Sequence, residues 1–157
     1  MRHVITALVH NVPGVLSHIS GMLASRGYNI DSLAVGETEN PQFSRMTFVV
    51  VGDIKVRDQV IKQLQKIVTV INADDITDGQ LVERDLLLIR VEVLPEVRGQ
   101  ILQIVEIFRA KVVDISPTSM MIELSGNESK IEGFIREMSN YGKIELARSG
   151  IIAMKRE

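Results

Sequence analysis

Apolar residues follow two kinds of pattern along this chain, and the order of the patterns repeats. Continuous apolar runs are typical of buried strands, and stripes at helical spacing are typical of amphipathic helices. The first half is predicted to begin with a strand over 3–10 and a helix over 14–26, whose apolar stripe is Val15, Leu16, Ile19, Met22 and Leu23. Strands over 28–35 and 44–51 follow. A second helix, capped by Asp53, carries the stripe Val56, Val60, Leu64, Ile67 and Val68, and a strand over 68–76 ends this half. Gly27 is predicted to end the first helix, and residues 37–43 to form a hairpin loop.

The second half shows the same order of patterns. It is predicted to begin with a strand over 86–94 and a helix opened by Pro95, with Val97, Ile101, Ile104, Val105 and Phe108 facing inward. Strands over 111–116 and 119–124 follow, and then a break at Gly126 and Asn127. A helix with the stripe Ile131, Phe134, Ile135 and Met138 and strands over 143–147 and 151–154 complete this half. The order βαββαβ is that of the ferredoxin-like fold. The prediction is therefore an α+β protein of two consecutive ferredoxin-like βαββαβ domains, 1–76 and 77–157, divided in the polar stretch 74–80.

The strand over 44–51 is apolar on both faces. Met46, Phe48 and Val50 share one face, and Val49 and Val51 lie on the other. Two helices cover only one face of a four-stranded sheet, so a monomer would leave one of these faces in water. Both edges of the sheet also stay exposed, so we predict self-association, either edge to edge or face to face, into a symmetric dimer.

The turn over residues 10–16 is the best candidate for a binding site. Asn11 is a plausible helix cap, Pro13 suits a first helical turn, and Gly14 allows a close approach of the backbone. Such a helix start directs free N–H groups and the positive end of the helix dipole at one point, which suits a carboxylate. Asn11 and Asn29 can supply oxygens for an ammonium group. The alternative is ordinary turn and cap duty with only water bound.

Composition excludes several classes of function. The net charge is -2, with 18 basic and 20 acidic residues, and aromatic residues make up 4% of the chain without a tryptophan. Neither feature favours nucleic-acid binding. No apolar run is long enough to span a bilayer, and no signal peptide is visible. The absence of cysteine is compatible with a reducing compartment, and we expect a cytoplasmic protein.

Motifs for catalysis or metal binding are lacking. His3, His10 and His18 do not have the spacing of a metal site, and no nucleophile elbow, Walker loop or dinucleotide fingerprint is present. We therefore predict no catalytic residues and no metal site. A small ferredoxin-like enzyme with its chemistry in a cleft between the halves is an alternative that the residue inventory does not favour.

Six stretches in the same order give the chain a strong resemblance to a known family. They are residues 10–16, 26–33, 44–47, 81–86, 106–110 and 147–150. Together they resemble the small, regulatory subunit of acetolactate (acetohydroxyacid) synthase from end to end. The first half resembles that family's ACT domain, and the second half resembles its C-terminal ferredoxin-like domain.

The resemblance implies a subunit without catalysis of its own. Members bind a large catalytic subunit, a transferase that uses thiamine diphosphate, FAD and magnesium, and this chain would bind none of these cofactors. The small subunit raises that enzyme's activity and confers feedback inhibition by valine or, in some members, other branched-chain amino acids. Valine binds where two ACT domains meet in a homodimer. A free-standing sensor with two ACT domains that acts on another protein is the alternative.

The resemblance also assigns the effector site. Its main positions fall on Asn11, Gly14 and Asn29, with the backbone from Val12 to Leu16 holding the carboxylate. The full set implied is Asn11, Val12, Pro13, Gly14, Val15, Leu16, Asn29 and Ile30. Ile30 and Val35 are weaker candidates for the pocket lining, and Gly36 leaves the shape of the pocket and the preferred amino acid open.

Overall fold

The computed structural model describes residues 1–157 and confirms the predicted α+β fold. Each half consists of an antiparallel sheet with two helices. The elements are β1 (Arg2–His10), α1 (Val15–Ser25), β2 (Asn29–Glu37), β3 (Phe43–Val51), α2 (Ile54–Gln65), β4 (Val70–Asp75), β5 (Leu81–Glu92), α3 (Arg98–Phe108), β6 (Lys111–Ile115), β7 (Ser119–Gly126), α4 (Glu128–Ser139), β8 (Ile144–Arg148) and β9 (Ile152–Lys155). None of the helices is long and apolar enough to cross a bilayer.

The first sheet has the strand order β2-β3-β1-β4, so β2 and β4 form its edges. Phe48 lies at its centre and is in register with Ile5 on one side and Leu33 on the other. The core under α1 and α2 consists of apolar side chains from both helices and all four strands, with Ile19, Leu23, Val60 and Leu64 from the helices. Burial of this face is the main force that holds the sheet and helices together.

Local signals explain how the helices of this unit begin and end. The Asp53 carboxylate accepts a hydrogen bond from the Val56 N–H at 3.0 Å, which confirms the predicted cap of α2. Gly27 follows α1 with a φ of 69°, a left-handed conformation that favours glycine and ends the helix as predicted.

The second sheet repeats the arrangement with the order β6-β7-β5-β8. Its core contains Leu87, Ile89 and Val91 of β5 together with Ile101 of α3 and Phe134 of α4. The edge strands of the two sheets match in detail, because the pairing of both β2 and β6 shifts by one residue near the third residue of the strand, at Asp31 and at Val113.

Three features of the second half go beyond the prediction or differ from it. β5 begins at Leu81 rather than 86, because its first residues form a ladder with β9 that local periodicity cannot reveal. A short 3-10 turn at Pro95–Val97 precedes α3. Asn127, predicted only as a break, caps α4 by accepting a hydrogen bond from the Lys130 N–H at 3.0 Å.

The chain divides into compact units differently from the predicted split at 76/77. Residues 1–82 and 151–157 form the first unit, and residues 83–150 form the second. Ile151 and Ala153 are buried in a small core of the first unit with Val4, Val49 and Ile76. The last residues therefore pack on the face of the first sheet that lies opposite its helices.

This return of the chain corrects the argument that led from β3 to a dimer. Val49 was expected to face water in a monomer, but it is fully buried by the chain's own C-terminal residues. Val51 stays partly exposed. The predicted dimer must therefore rest on other evidence.

Candidate functional site

The turn between β1 and α1 adopts a different structure from the one predicted for it. Asn11 does not cap the helix and Pro13 does not lie within it, because α1 begins at Val15 with Gly14 as its N-cap. The Asn11 side-chain amide instead donates to the Pro41 carbonyl at 3.0 Å, and its backbone N–H donates to the Gln42 carbonyl at 2.7 Å. These two bonds fix the turn to the loop between β2 and β3.

The start of α1 is open to a ligand. Gly14 has a φ of 84° and no side chain caps the helix, so the N–H groups of Gly14, Leu16 and Ser17 have no acceptor in the chain. The first turn carries no acidic residue that would compensate the helix dipole. Such a point attracts a small anion.

Apolar surface surrounds these free donors. The side chains of Val12 and Leu16 are 43% and 44% exposed, although both are large and apolar. An added Cβ at Gly14 would meet no atom within 4 Å, so space remains above the turn. The combination suits a ligand with a carboxylate and a short aliphatic group.

Asn29 and Ile30 lie at the other end of the sheet. Asn29 is exposed at the start of β2 and pairs with Val51, whereas Asn11 lies beside the beginning of β3. Eight residues of β3 separate these ends, which corresponds to roughly 26 Å at the usual rise per residue of a strand. Ile30 packs against the main core. A single chain thus brings residues 11–16 together and keeps Asn29 and Ile30 apart from them.

The far end of β2 is the part of that strand which lies near the turn. Val35 is partly exposed there and pairs with Met46, and Gly36 pairs with Arg45 and has open space at its Cα. The weaker candidate Val35 is therefore closer to the turn in one chain than Asn29 is.

Two contacts at this site escaped the sequence prediction. The carbonyls of Pro41 and Gln42 position Asn11, and the Ser32 hydroxyl on β2 accepts a hydrogen bond from the Ile151 N–H at 3.0 Å. The hairpin loop over 37–43 was predicted, and the ferredoxin-like order places it beside the end of β1, so the first contact had a signal. The second joins residues 119 positions apart and had none.

The polar groups elsewhere include no cluster that could hold a metal ion. No three His, Asp or Glu side chains are placed to hold a metal ion. His3 is buried with its Nε2 3.1 Å from the Gly52 carbonyl oxygen, so the chain itself supplies its partner.

Two units of ferredoxin-like topology, the first with an open helix start, define a class of two-unit α+β proteins. Family models agree with this class. Residues 5–72 match the "AHAS small subunit-like ACT domain", and residues 84–157 match the "Small subunit of acetolactate synthase".

Relatives of similar length carry the same description. The chain is 45% identical to the acetolactate synthase small subunit of Aquifex aeolicus over 99% of this chain and 82% of that protein. It is 37% identical to the acetolactate synthase isozyme 3 small subunit of Escherichia coli over 99% of this chain and 96% of that protein. The crystal structure of the Thermotoga maritima acetolactate synthase small subunit matches with a TM-score of 0.88 and 40% identity, over 100% of this chain and 98% of that one. The chain therefore belongs to the family of acetolactate synthase small subunits, as its resemblance had indicated.

Proposed function

We propose that this chain is the regulatory subunit of an acetolactate synthase. It binds the large catalytic subunit, raises its activity and makes it sensitive to feedback inhibition by valine. Thiamine diphosphate, FAD and magnesium belong to the catalytic subunit and supply the chemistry there. Membership of the small-subunit family supports the partner. The open turn at the start of α1 is the single observation that supports the effector.

The chemistry of the turn suits valine. The carboxylate would accept hydrogen bonds from the N–H groups of Gly14, Leu16 and Ser17, where the helix dipole favours a negative charge. The isopropyl group would cover Val12 and Leu16, whose exposed apolar surface otherwise contacts water. An ammonium group also requires oxygen acceptors. The Asn11 amide nitrogen donates to Pro41, which leaves the Asn11 Oδ1 as one acceptor and a place for another.

We infer that Asn29 of a second copy completes the site. β2 is an edge strand, so its outer N–H and C=O groups are free to pair with another β2. In a two-fold dimer with antiparallel β2 strands, the start of one strand lies opposite the end of the other. Asn29 of the partner subunit would then lie at the end of the sheet that carries the turn. The roughly 26 Å separation within one chain becomes a short one across the interface.

A shared site gives valine a route to inhibition. Valine shifts the enzyme toward an inhibited state only if it binds that state more tightly than the active one. Because residues from two chains hold the ligand, filling the site changes how tightly the two copies associate. The catalytic subunit must in turn alter the affinity for valine by the same factor.

Mixed dimers of two variants test whether the site is shared. Gly14→Asp places a negative charge at the carboxylate position, and aspartate tolerates the left-handed conformation better than most residues. Asn29→Ala removes a hydrogen bond to a charged group, which is worth roughly 1.5–3 kcal/mol, or about 10- to 150-fold in affinity. Each variant homodimer should bind valine weakly and leave the enzyme resistant to inhibition but still activated.

A dimer of one Gly14→Asp chain and one Asn29→Ala chain should regain one normal site. Its two intact halves, the turn of the second chain and Asn29 of the first, meet at the same interface. Calorimetry on doubly tagged heterodimers should give one valine bound per dimer at parental affinity, against two for the parent. Gly14→Asn, which has the same shape without the charge, serves as the control and should lose less affinity than Gly14→Asp.

The outcomes separate the alternatives. A heterodimer without any valine site would show that each site lies within one chain. Homodimers of Asn29→Ala that stay fully valine-sensitive would remove Asn29 from the site. Purification without any thiamine-diphosphate enzyme, together with normal valine binding, would favour the free-standing sensor.

A further inference from the structure

The C-terminal residues contact the same strand that carries Asn29. Ile151 donates its backbone N–H to the Ser32 hydroxyl on β2 at 3.0 Å. Its side chain is almost fully buried in the small core that includes Val49, and Val49 is the residue paired with Ser32 on β3. One residue of the returning chain is therefore held by both members of the pair Ser32–Val49.

Ser32 directly follows the irregularity in β2. The pairing of β2 with β3 shifts between Ile30 and Ser32, which leaves Asp31 as the extra residue of a bulge. A bulge interrupts the ladder locally, so residues on one side can change position without breaking the pairs on the other. The bulge separates Asn29 and Ile30 from Ser32 by a single residue.

In the second unit, the chain just before Ile151 is firmly anchored. Arg148 donates from Nε to the buried Asp85 carboxylate at 2.8 Å, and its Nη2 forms an ion pair with the same oxygen at 2.8 Å. The Ser149 N–H donates to the Leu86 carbonyl, and the Ser149 hydroxyl accepts from the Leu86 N–H, both at 3.0 Å. Only Gly150, with a φ of 88°, stands between Ser149 and Ile151. A connection of one residue leaves little slack to absorb a movement of Ile151.

We propose that Ser32, through its hydrogen bond to Ile151, transmits the effect of valine binding at β2 to residues 148–150, where the chain leaves the second unit. Ser32 is then a positioning residue for feedback inhibition and does not contact valine. This inference rests on the proposed effector site and adds the path by which that site acts. It predicts that affinity for valine and response to valine can be separated by one substitution.

Ser32→Ala tests the path. Valine affinity is measured by calorimetry for the isolated small subunit and for its complex with the catalytic subunit. In the parent the two dissociation constants should differ by a coupling factor, which for allosteric proteins is typically about 5- to 150-fold. In Ser32→Ala the affinity of the isolated subunit should stay within about twofold. The coupling factor should fall toward one, and inhibition at saturating valine should fall with it.

Two further variants make the result specific. Ser32→Thr keeps a hydroxyl acceptor for the Ile151 N–H and should restore coupling. Ser139→Ala removes a serine hydroxyl that donates to the Arg136 carbonyl at the exposed end of α4, and it should leave coupling unchanged.

Each outcome decides the matter. Normal coupling in Ser32→Ala would overturn the path and leave the effector site intact. Loss of valine binding by isolated Ser32→Ala would also overturn it, because Ser32 would then belong to the binding site. A parent that binds no valine, or whose coupling factor is one, would instead overturn the proposed feedback function itself.

Discussion

At the scale of single residues, the buried Asp85 shows how a charge in the interior of this protein is paired. Its carboxylate is 1% exposed. It accepts a hydrogen bond from Arg148 Nε at 2.8 Å, forms an ion pair with Arg148 Nη2, and accepts a hydrogen bond from the Ser149 hydroxyl at 3.2 Å. Partial burial lowers the pKa of Arg148, but hydrogen bonds to Asp85 and Glu132 outweigh this effect and hold the pKa above its usual value. The guanidinium contribution to stability is therefore fully present below the usual pKa of arginine, and it does not vary over the pH range of ordinary experiments.

Removing either partner should have unequal costs. Arg148→Met leaves a fully buried carboxylate without its cation, which costs about 3–5 kcal/mol. Asp85→Asn leaves an arginine whose side chain is 31% exposed and still pairs with Glu132, so it should cost less. Urea unfolding of both variants measures the difference. Equal stabilities would show that solvent reaches Asp85.

At the same scale, the contacts of Asn11 differ from those predicted for it. Asn11, Gly14 and Leu16 lie near one another because they are close in sequence and any turn brings such residues together. The role of Asn11 as a cap was wrong, since an asparagine near a helix start can bond the helix or a neighbouring loop with similar chemistry. Here the Asn11 side-chain amide donates a hydrogen bond to the Pro41 carbonyl in the loop. Which partner Asn11 bonds depends on the position of the β2–β3 loop. The residues near Asn11 in the sequence do not determine that position.

At the scale of elements, β9 is the strand whose role depends most on the rest of the fold. Its residues alternate between the small core and solvent, with Ala153 5% exposed and its neighbour Ile152 62% exposed. Periodicity alone identified a strand near 151–154, and the order and type of all four helices were predicted in the same way. Which unit the strand joins depends on Val4 and Val49, which lie more than 100 positions earlier in the sequence. A pattern within a few residues cannot encode that distance.

Matched substitutions in β9 test its attachment. Ala153→Asp introduces an unpaired charge into the small core and should destabilise the protein by about 3 kcal/mol or more, because a buried charge without a partner is strongly unfavourable. Ile152→Asp adds the same side chain on the exposed face and should change stability by less than about 1 kcal/mol. Thermal unfolding monitored by circular dichroism compares the two. Similar losses in both variants would mean that the strand is not held through Ala153.

At the scale of the whole molecule, the proposed effector site connects ligand binding with assembly. If valine needs residues of two chains, it binds the dimer and not the monomer. Mass action then requires valine to strengthen the dimer, by RT ln(1 + [L]/Kd) for each site. At a hundredfold excess over Kd this is about 2.7 kcal/mol per site.

Sedimentation over a series of protein dilutions measures this linkage. The dimer dissociation constant should fall by up to roughly 10⁴-fold in saturating valine when two sites are filled. Asn29→Ala should show no valine effect on dimerisation, whereas Ser32→Ala should keep it. Valine that binds normally without changing the dimerisation constant would place the site within one subunit.

The overall architecture was accessible from sequence for a physical reason. In each of the two βαββαβ repeats, the apolar residues follow the spacing of a strand or a helix and face one core. Phe48 lies in the first of these cores and Phe134 in the second. The dimer was argued from the exposed face of β3, and Val49 on that face is in fact buried. The edge strand β2 supports the dimer instead, because it carries Asn29 and its outer backbone groups can pair with a second copy.

The return of residues 151–153 to the first unit also bears on how the protein is made. Val4 and Val49 leave the ribosome early, but the residues that cover them, Ile151 and Ala153, follow only after the entire second unit has been synthesised. Contacts of such long sequence separation form late and slowly, because the loop must close before they contribute. The nascent first unit thus carries an uncovered apolar patch throughout elongation, and its maturation waits for the second unit to emerge.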